Sequence, residues 1–418
     1  MSRFRRTALA AAAALTLGSG ALAVASAPAT AALPTAAVAI GDSFISGEGA
    51  GAYSTVVDLN GTAQAFPGWS AANNNAYFCH RSANASLQVA ALSGINARFN
   101  LACSGGQPHD IANASNTRTN GRQVAAQLTQ LRAVAQTHDI DLVLVGLGSN
   151  NSYFTFGDVA TLCANRFIAD AWTGWWEFWA YLNGPVPQEP CTDADLASAA
   201  EVASATTETT NALRQLITTL NEVDADGQHR IVFQDYTNPL PTDVYSTLVE
   251  EDGRQDDRDK FRELGAERYA AGCPIHRASL APGHRFSANL GAVVRNSHAN
   301  LSAEFPGQDL VYLNVQRAFD GARLCEKAGS PTGALATPVR IMDGPSGTFI
   351  QSLSGYDKIA IQRFANTCGT YFQTCQESWH PNAAGHAVLG QCLSAAATTA
   401  NRTLSCIRNA GTGALTFQ

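Results

Sequence analysis

Short apolar runs rich in β-branched residues recur along the chain, and each run is closed by turn-forming or polar residues. Runs of this kind are typical of buried strands. There are five of them, at Thr35 to Ile40, Ala97 to Ala102, Leu142 to Leu147, Arg230 to Gln234 and Leu310 to Val315. Between them, apolar residues fall on one helical face at Val124, Leu128 and Leu131 and again at Leu213, Leu216, Ile217, Leu220 and Val223. Strands that alternate with helices predict one α/β domain, with a parallel sheet covered by helices on both faces.

Two connections are long for a minimal domain of this class, at about 151–194 and about 237–306. Loops of this length usually carry function or fold as sub-elements, so we treat both as insertions. The second contains a densely charged stretch at 250–260, where four aspartates lie beside Arg254, Arg258 and Lys260. A calcium loop has a similar acidic content, but the mixed signs favour a solvated surface.

The first residues have the pattern of an export signal. Arginines at positions 3, 5 and 6 precede an Ala/Leu run from Ala8 to Leu17, and small residues ending at Ala31 offer a cleavage site. We therefore predict a signal peptide at 1–31 and a secreted single domain at 32–418. The apolar run is well short of the roughly 20 residues that span a bilayer. The adjacent pair Arg5 and Arg6 leaves the twin-arginine export route open.

The ten cysteines are an even number in a chain that we expect to be exported, and this predicts disulfide bonds. Connectivity cannot be deduced from sequence. Pairing of neighbours gives Cys79 with Cys103, Cys163 with Cys191, Cys273 with Cys325, Cys368 with Cys375, and Cys392 with Cys406. No two cysteines have the close spacing of a zinc knuckle.

Composition supports a folded domain and argues against one class of partner. The chain is 45% hydrophobic and only 15% charged, which is enough apolar material for a sizeable core. The net charge is −7 and there is no basic cluster, so we expect no nucleic-acid partner. We expect no metal or cofactor, and a monomer.

Candidate chemistry lies at the carboxyl ends of the predicted strands, where open parallel sheets bind ligands. The first strand ends in Gly41-Asp42-Ser43, which places a hydroxyl at that edge. Taken alone, Ser43 is more often a turn or helix-capping residue. Gly105 follows the second strand, and glycine lets a backbone N–H approach a ligand closely. Asn150 follows the third strand, with an amide suited to an oxyanion or to a local turn.

A histidine near the end of the sequence completes this set. His380 stands before a predicted helix, with Glu377 three residues earlier in position to orient the ring. The segments GDSFISGEG, LACSGG, GLGSNN and ESWHPN occur in the order of the four blocks that define the SGNH, or GDSL, hydrolases. The chain resembles the secreted actinobacterial members in particular, since CHRS from Cys79 and GARLCE from Gly321 are similar to their recurring segments.

The resemblance implies a three-layer α/β/α sandwich with a flavodoxin-like, five-stranded parallel sheet. It implies that Ser43 is the nucleophile and His380 the base, with Gly105, Asn150 and the backbone N–H of Ser43 forming the oxyanion hole. The expected reaction is ester hydrolysis through an acyl-serine. Two residues depart from the family pattern, which usually has Asp at the position of Glu377 and at that of Asn151. Glu377 or a backbone carbonyl would then orient His380, and a dyad of Ser43 and His380 stays open.

The first insertion holds four of the six tryptophans, at Trp172, Trp175, Trp176 and Trp179. These side chains are suited to an acyl chain or a lipid surface, or to packing of a helix on the domain. Three functions follow as hypotheses. The first is an esterase or lipase acting on lipid or small acyl esters, the second a polysaccharide acetyl esterase, and the third a non-catalytic secreted binding protein of the same fold.

Overall fold

The computed structural model describes residues 32–53, 79, 81–114, 124–156, 159, 162–163, 191–224, 227–240, 277–323 and 380–418. The chain divides into two compact units, Met1–Leu33 and Pro34–Gln418, and every element named below belongs to the second. The predicted signal peptide at 1–31 lies outside the described residues, so it stays a prediction. Within the described residues no helix is long and apolar enough to cross a membrane.

One twisted sheet organises the second unit. Its strands are β1 Thr35–Gly41, β2 Ala97–Asn100, β3 Asp139–Gly146, β4 Arg230–Gln234, β5 Asp309–Asn314, β6 Thr403–Arg408 and β7 Leu415–Phe417. They lie in the order β2-β1-β3-β4-β5-β6-β7. All neighbours from β2 to β6 are parallel, and β7 is antiparallel to β6. The first five strands have the flavodoxin-like order, so the predicted α/β class is confirmed.

The strand count predicted from sequence was wrong, because the sheet has seven strands rather than five. In β6, Leu404 and Cys406 are buried between more exposed residues, so the segment has no continuous apolar run. In β7 there are only three residues, two of them exposed. The second predicted strand is a half-buried edge strand that ends at Asn100, two residues before the predicted end.

The central strands explain why helices must cover the sheet on both sides. Side chains of consecutive strand residues point to opposite faces. In β1 and β4 nearly every residue is buried, so both faces are shielded from water. The largest fully buried side chains include Ile40, Leu144 and Phe233, which lie on β1, β3 and β4. These three strands therefore contribute large side chains to the hydrophobic core.

The helices of the described residues are α1 Ser43–Ser46, α2 Ser86–Val89, α3 Gln127–Val134, α4 Ala199–Val223, α5 Arg277–Glu304 and α6 Ala383–Ala396. Helix α4 begins with a capping box, in which Ser198 and Glu201 each bond the other's backbone N–H. It packs against α5, and α6 packs against α2. Helix α5 lies within the predicted second insertion, so part of that insertion is a 28-residue helix.

Three disulfide bonds connect described residues, and they are three of the neighbour pairs: Cys79–Cys103, Cys163–Cys191 and Cys392–Cys406. The last one joins α6 to β6, the strand next to the edge strand β7. The other four cysteines, at 273, 325, 368 and 375, lie outside the described residues, as do the charged stretch at 250–260 and the four tryptophans at 172–179.

Candidate active site

Ser43 lies where the topology of the sheet favours a ligand. Strand β1 pairs with β2 on one side and β3 on the other, so the direction of winding reverses at its carboxyl end. Ligands of open α/β sheets bind in the crevice beyond this point. Ser43 is the first residue of α1, which follows β1 after Asp42, and it is 7% exposed. The candidate nucleophile therefore sits at the switch point.

The turn that presents Ser43 requires glycine at Gly41. Its φ is +143°, and a Cβ there would lie 1.9 Å from the carbonyl oxygen of Gly146 at the end of β3. The backbone N–H of Asp42 donates to that same oxygen at 3.1 Å. Gln127 at the start of α3 holds Gly41 from the other side, because its amide accepts from the N–H and donates to the carbonyl of Gly41, each at 2.8 Å. The turn is thus fixed by two neighbouring elements.

His380 is within hydrogen-bond distance of Ser43. Its Nε2 lies 2.8 Å from the Oγ of Ser43, although the two residues are 337 positions apart in the chain. His380 stands two residues before Asn382, the N-cap of α6, whose side chain accepts from the N–H of Gly385 at 3.0 Å. A base at this distance can take the hydroxyl proton directly when its Nε2 is unprotonated.

The turn after β2 brings Gly105 to the same edge. Gly105 has φ +69°, and its neighbour Gly106 packs so closely that a Cβ there would lie 2.8 Å from the carbonyl oxygen of Gly41. The N–H of Cys103 donates to that oxygen at 3.1 Å. Among the residues that the structure describes, none accepts a hydrogen bond from the backbone N–H of Ser43 or of Gly105. Two backbone donors therefore have no acceptor within the described protein.

The turn after β3 carries Asn150, which is half-buried. Its Nδ2 donates to the Oγ of Ser149 at 3.3 Å. The next residue, Asn151, is buried and shapes the turn: its Oδ1 accepts from the N–H groups of Tyr153 and Phe154 at 2.8 and 2.9 Å, and its Nδ2 donates to the carbonyl of Gly148 at 3.0 Å. An ionised aspartate has no such donor. All three of these hydrogen bonds of the Asn151 side chain are therefore made within its own turn.

A buried polar cluster joins the nucleophile turn to the Asn150 turn. Oδ2 of Asp42 accepts from the hydroxyls of Ser149, at 2.6 Å, and of Tyr236, at 2.5 Å. Oδ1 of Asp42 accepts from the N–H of Phe44 at 3.1 Å. The hydroxyl oxygen of Tyr236 in turn accepts from the N–H of Ser149 at 3.0 Å. The ends of β1, β3 and β4 are therefore linked through one carboxylate.

Burial governs the protonation of this cluster. It raises the pKa of Asp42, and the hydrogen bonds from Ser149, Tyr236 and Phe44 partly counteract that rise. Burial and the carboxylate of Asp42 raise the pKa of Tyr236 well above its ordinary value. Tyr236 accordingly stays a protonated donor at neutral pH.

Two other histidines, His109 and His386, differ in their surroundings from His380. His386 is fully buried in α6, where its Nδ1 accepts from the N–H of Ser86 at 3.2 Å and its ring packs near Phe44. Burial lowers the pKa of His386 to about 3, so it stays neutral. His109 is in the 3-10 turn Pro108–Ile111 with an exposed side chain. His80 lies outside the described residues.

Sequence reasoning missed several residues that shape this site. Gln127 and Tyr236 lie outside the four segments, and Tyr236 is 194 positions from the carboxylate it contacts. Ser149 lies in the segment GLGSNN, but its hydrogen bond to Asp42 was not predicted. A position shortly after a buried strand is the signal that Ser149 and Tyr236 share. Glu377 lies outside the described residues, so its predicted contact with His380 stays a prediction.

Comparisons with known proteins found a similar solved structure, at low similarity, and no matching family or curated sequence. No family model matches the chain, and no curated protein matches it in sequence. In the part of the chain that is described, no three His, Cys, Asp or Glu residues are grouped to hold a metal ion. A crystal structure of phospholipase A1 from Streptomyces albidoflavus NA297 is similar at a TM-score of 0.40 and 16% identity, over 87% of this chain and 100% of that one. A similarity at this level leaves the chemistry to be argued from the residues themselves.

Proposed function

We propose that this protein is a secreted serine hydrolase that cleaves carboxylic esters of lipids or small acyl groups through an acyl-serine intermediate. The observation that carries the proposal is the 2.8 Å contact between Nε2 of His380 and Oγ of Ser43 at the switch point of the sheet. Nucleophile and base within this reach are the signature of covalent catalysis.

The steps follow from the positions of the donors and acceptors. Oγ of Ser43 attacks the ester carbonyl carbon while Nε2 of His380 takes the hydroxyl proton. The carbonyl oxygen becomes an oxyanion that accepts from the N–H groups of Ser43 and Gly105 and from the amide of Asn150. The protonated His380 then gives its proton to the leaving alcohol, and the acyl group stays on Ser43.

Deacylation repeats these steps with water as the nucleophile. His380 takes a proton from the water as its oxygen attacks the acyl carbon, and returns that proton to Oγ of Ser43 as the acid leaves. Each oxyanion donor contributes about 10²- to 10³-fold in rate, because it binds charge that exists only in the transition state. Glu377 is our proposal for the group that orients His380.

Location and substrate class belong to the same proposal. Three disulfide bonds in the described residues support an oxidising compartment, in line with the predicted signal peptide. The tryptophans in the first insertion are suited to contact with a lipid or an acyl chain. The alternative substrate is a polysaccharide acetyl ester. The dependence of activity on acyl chain length distinguishes the two substrates.

Hydrolysis of nitrophenyl esters of graded acyl length tests the proposal. We expect Ser43→Ala and His380→Ala each to lower kcat by about 10⁴-fold or more. The matched control is Ser86→Ala, because Ser86 is also a buried serine at the first position of a four-residue helix. Ser86→Ala should keep wild-type activity. Equal activity in Ser43→Ala and wild type would refute the assignment, and activity restricted to acetyl esters would favour the polysaccharide substrate.

A further inference from the structure

We propose that Tyr236 is a positioning residue, which holds the oxyanion donor Asn150 in place through Asp42 and Ser149. The proposal rests on the proposed function, because it concerns the same site. It assigns a role to a residue outside all four sequence blocks, two residues after strand β4, which contributes neither the nucleophile nor the base.

Asp42 is the first link between Tyr236 and Asn150. The carboxylate is fully buried and receives three donors: the N–H of Phe44 on Oδ1, and the hydroxyls of Ser149 and Tyr236 on Oδ2. A buried carboxylate is stable only when its acceptor sites are paired. Tyr236 therefore supplies part of what keeps Asp42 in its place beside Ser43.

Asp42 orients the hydroxyl of Ser149, which is the second link. Its hydroxyl has a single proton, and that proton goes to Asp42. The lone pairs of the same oxygen then face its other neighbours, and one accepts from Nδ2 of Asn150 at 3.3 Å. The amide of Asn150 has two N–H groups, so this bond occupies one of them and leaves the second for an oxyanion. The carboxylate thus fixes the amide through one intervening hydroxyl.

Tyr236 also contacts the turn that carries Asn150 directly. The hydroxyl oxygen of Tyr236 accepts from the backbone N–H of Ser149 at 3.0 Å while its proton goes to Asp42. Its ring packs edge-on against Phe44, the residue that follows Ser43, with centroids 5.3 Å apart. The side chain of Tyr236 therefore contacts both the turn that carries Ser43 and the turn that carries Asn150. Loss of its hydroxyl is expected to loosen the turn that carries Asn150 relative to the turn that carries Ser43.

Kinetics of Tyr236→Phe test this role against a merely structural one. We expect kcat to fall about tenfold with KM changed less than about twofold, because a displaced oxyanion donor weakens transition-state binding alone. In an Asn150→Ala background the same change should lower kcat less than about twofold, since the donor that Tyr236 positions is gone. A loss of equal size in both backgrounds would contradict the proposal.

The matched control is Tyr312→Phe. Tyr312 is also a buried tyrosine whose hydroxyl donates to a buried aspartate, Asp235, at 2.8 Å, and it contacts neither Ser149 nor Asp42 among the described residues. We expect wild-type kcat in this variant. A tenfold loss in both tyrosine variants would show that destabilisation, rather than positioning, accounts for the effect.

A measurement that needs no turnover keeps this proposal separate from the proposed function. The side-chain amide resonances of Asn150 in a ¹⁵N–¹H spectrum are assigned by their loss in Asn150→Ala. We expect Tyr236→Phe to shift both amide protons and Tyr312→Phe to leave them unchanged. Unchanged Asn150 resonances in Tyr236→Phe would overturn the positioning role, whether or not the protein cleaves esters.

Discussion

Two buried tyrosine–aspartate pairs lie at the carboxyl edge of the same sheet, and only one adjoins the candidate nucleophile. Asp42 after β1 receives the hydroxyl of Tyr236, and Asp235 after β4 receives that of Tyr312. Both carboxylates are completely buried, and burial raises the pKa of each. The chemistry of the two pairs is nearly identical, so any difference in role must come from their other partners.

Those partners differ in kind. Oδ1 of Asp235 accepts from the backbone N–H of Val315 at 2.6 Å, so this pair ties the end of β4 to the residues after β5. Asp42 instead receives the hydroxyl of Ser149, which leads to Asn150, and it directly precedes Ser43. The same buried pair thus stabilises the fold at one strand end and shapes a site at the other. Proximity to the switch point makes that difference.

Replacing each aspartate by asparagine should reveal the largest difference between the two pairs. Asp42→Asn has one acceptor oxygen where the carboxylate has two, so a donor among Phe44, Ser149 and Tyr236 loses its partner. We expect kcat to fall about 100-fold. Asp235→Asn should keep kcat within about twofold, because its partners do not reach Ser43. Steady-state kinetics on folded protein measure both, and equal losses would contradict distinct roles for the two pairs.

The buried carboxyl of Asp235 should make the stability of the protein depend on pH. Burial raises the pKa of Asp235 to about 7 from an ordinary value of 3.8. The folded state then binds more protons than the unfolded chain between these values, so the favourable contribution is complete at low pH and is lost as pH rises towards 7. Asp235→Asn stays neutral throughout and escapes this loss.

We therefore expect the free energy of unfolding of Asp235→Asn, relative to wild type, to rise by about 2 kcal/mol from about pH 5 to about pH 7. Urea unfolding at several pH values measures it. Parallel curves for the two proteins would show that Asp235 is ionised across this range in the folded state.

The contribution of His386 to stability should change with pH in the opposite direction to that of Asp235. Burial lowers its pKa to about 3, so the folded state resists a proton that the unfolded chain accepts below its ordinary value of 6.5. Stability due to His386 is complete above that value and is lost as pH falls. Relative to His386→Gln, wild type should lose roughly 0.7 kcal/mol from about pH 7 to about pH 6. Urea unfolding at these two pH values checks the sign, and a relative gain for wild type would contradict it.

Sequence predicted the centre of this molecule better than its margins. Strands β1, β3, β4 and β5 are continuous apolar runs because both of their faces are buried, and such runs are visible without a structure. Strand β7 is an edge strand and β6 lies next to it, and in both the apolar signal is interrupted by exposed or half-buried residues. Strands of this kind depend on neighbours that the local sequence does not encode.

The same distinction applies to the site. Ser43 and His380 occur in recognisable segments, and the structure brings their side chains together. The two hydroxyl partners of Asp42 are 107 and 194 positions away, at Ser149 in the segment GLGSNN and at Tyr236 outside all four segments. Their contacts with Asp42 form only when parallel strands place their carboxyl ends side by side. A motif can mark one such residue, but it does not show which distant residue it contacts.

The central claim is that His380 activates Ser43, and covalent labelling tests it most directly. Wild-type protein is treated with a fluorophosphonate, digested, and the modified peptide identified by mass spectrometry. The account predicts a single adduct on Ser43, formed about 10³-fold or more slowly in His380→Ala. An adduct on another residue, or labelling of Ser43 at an unchanged rate without His380, would contradict it.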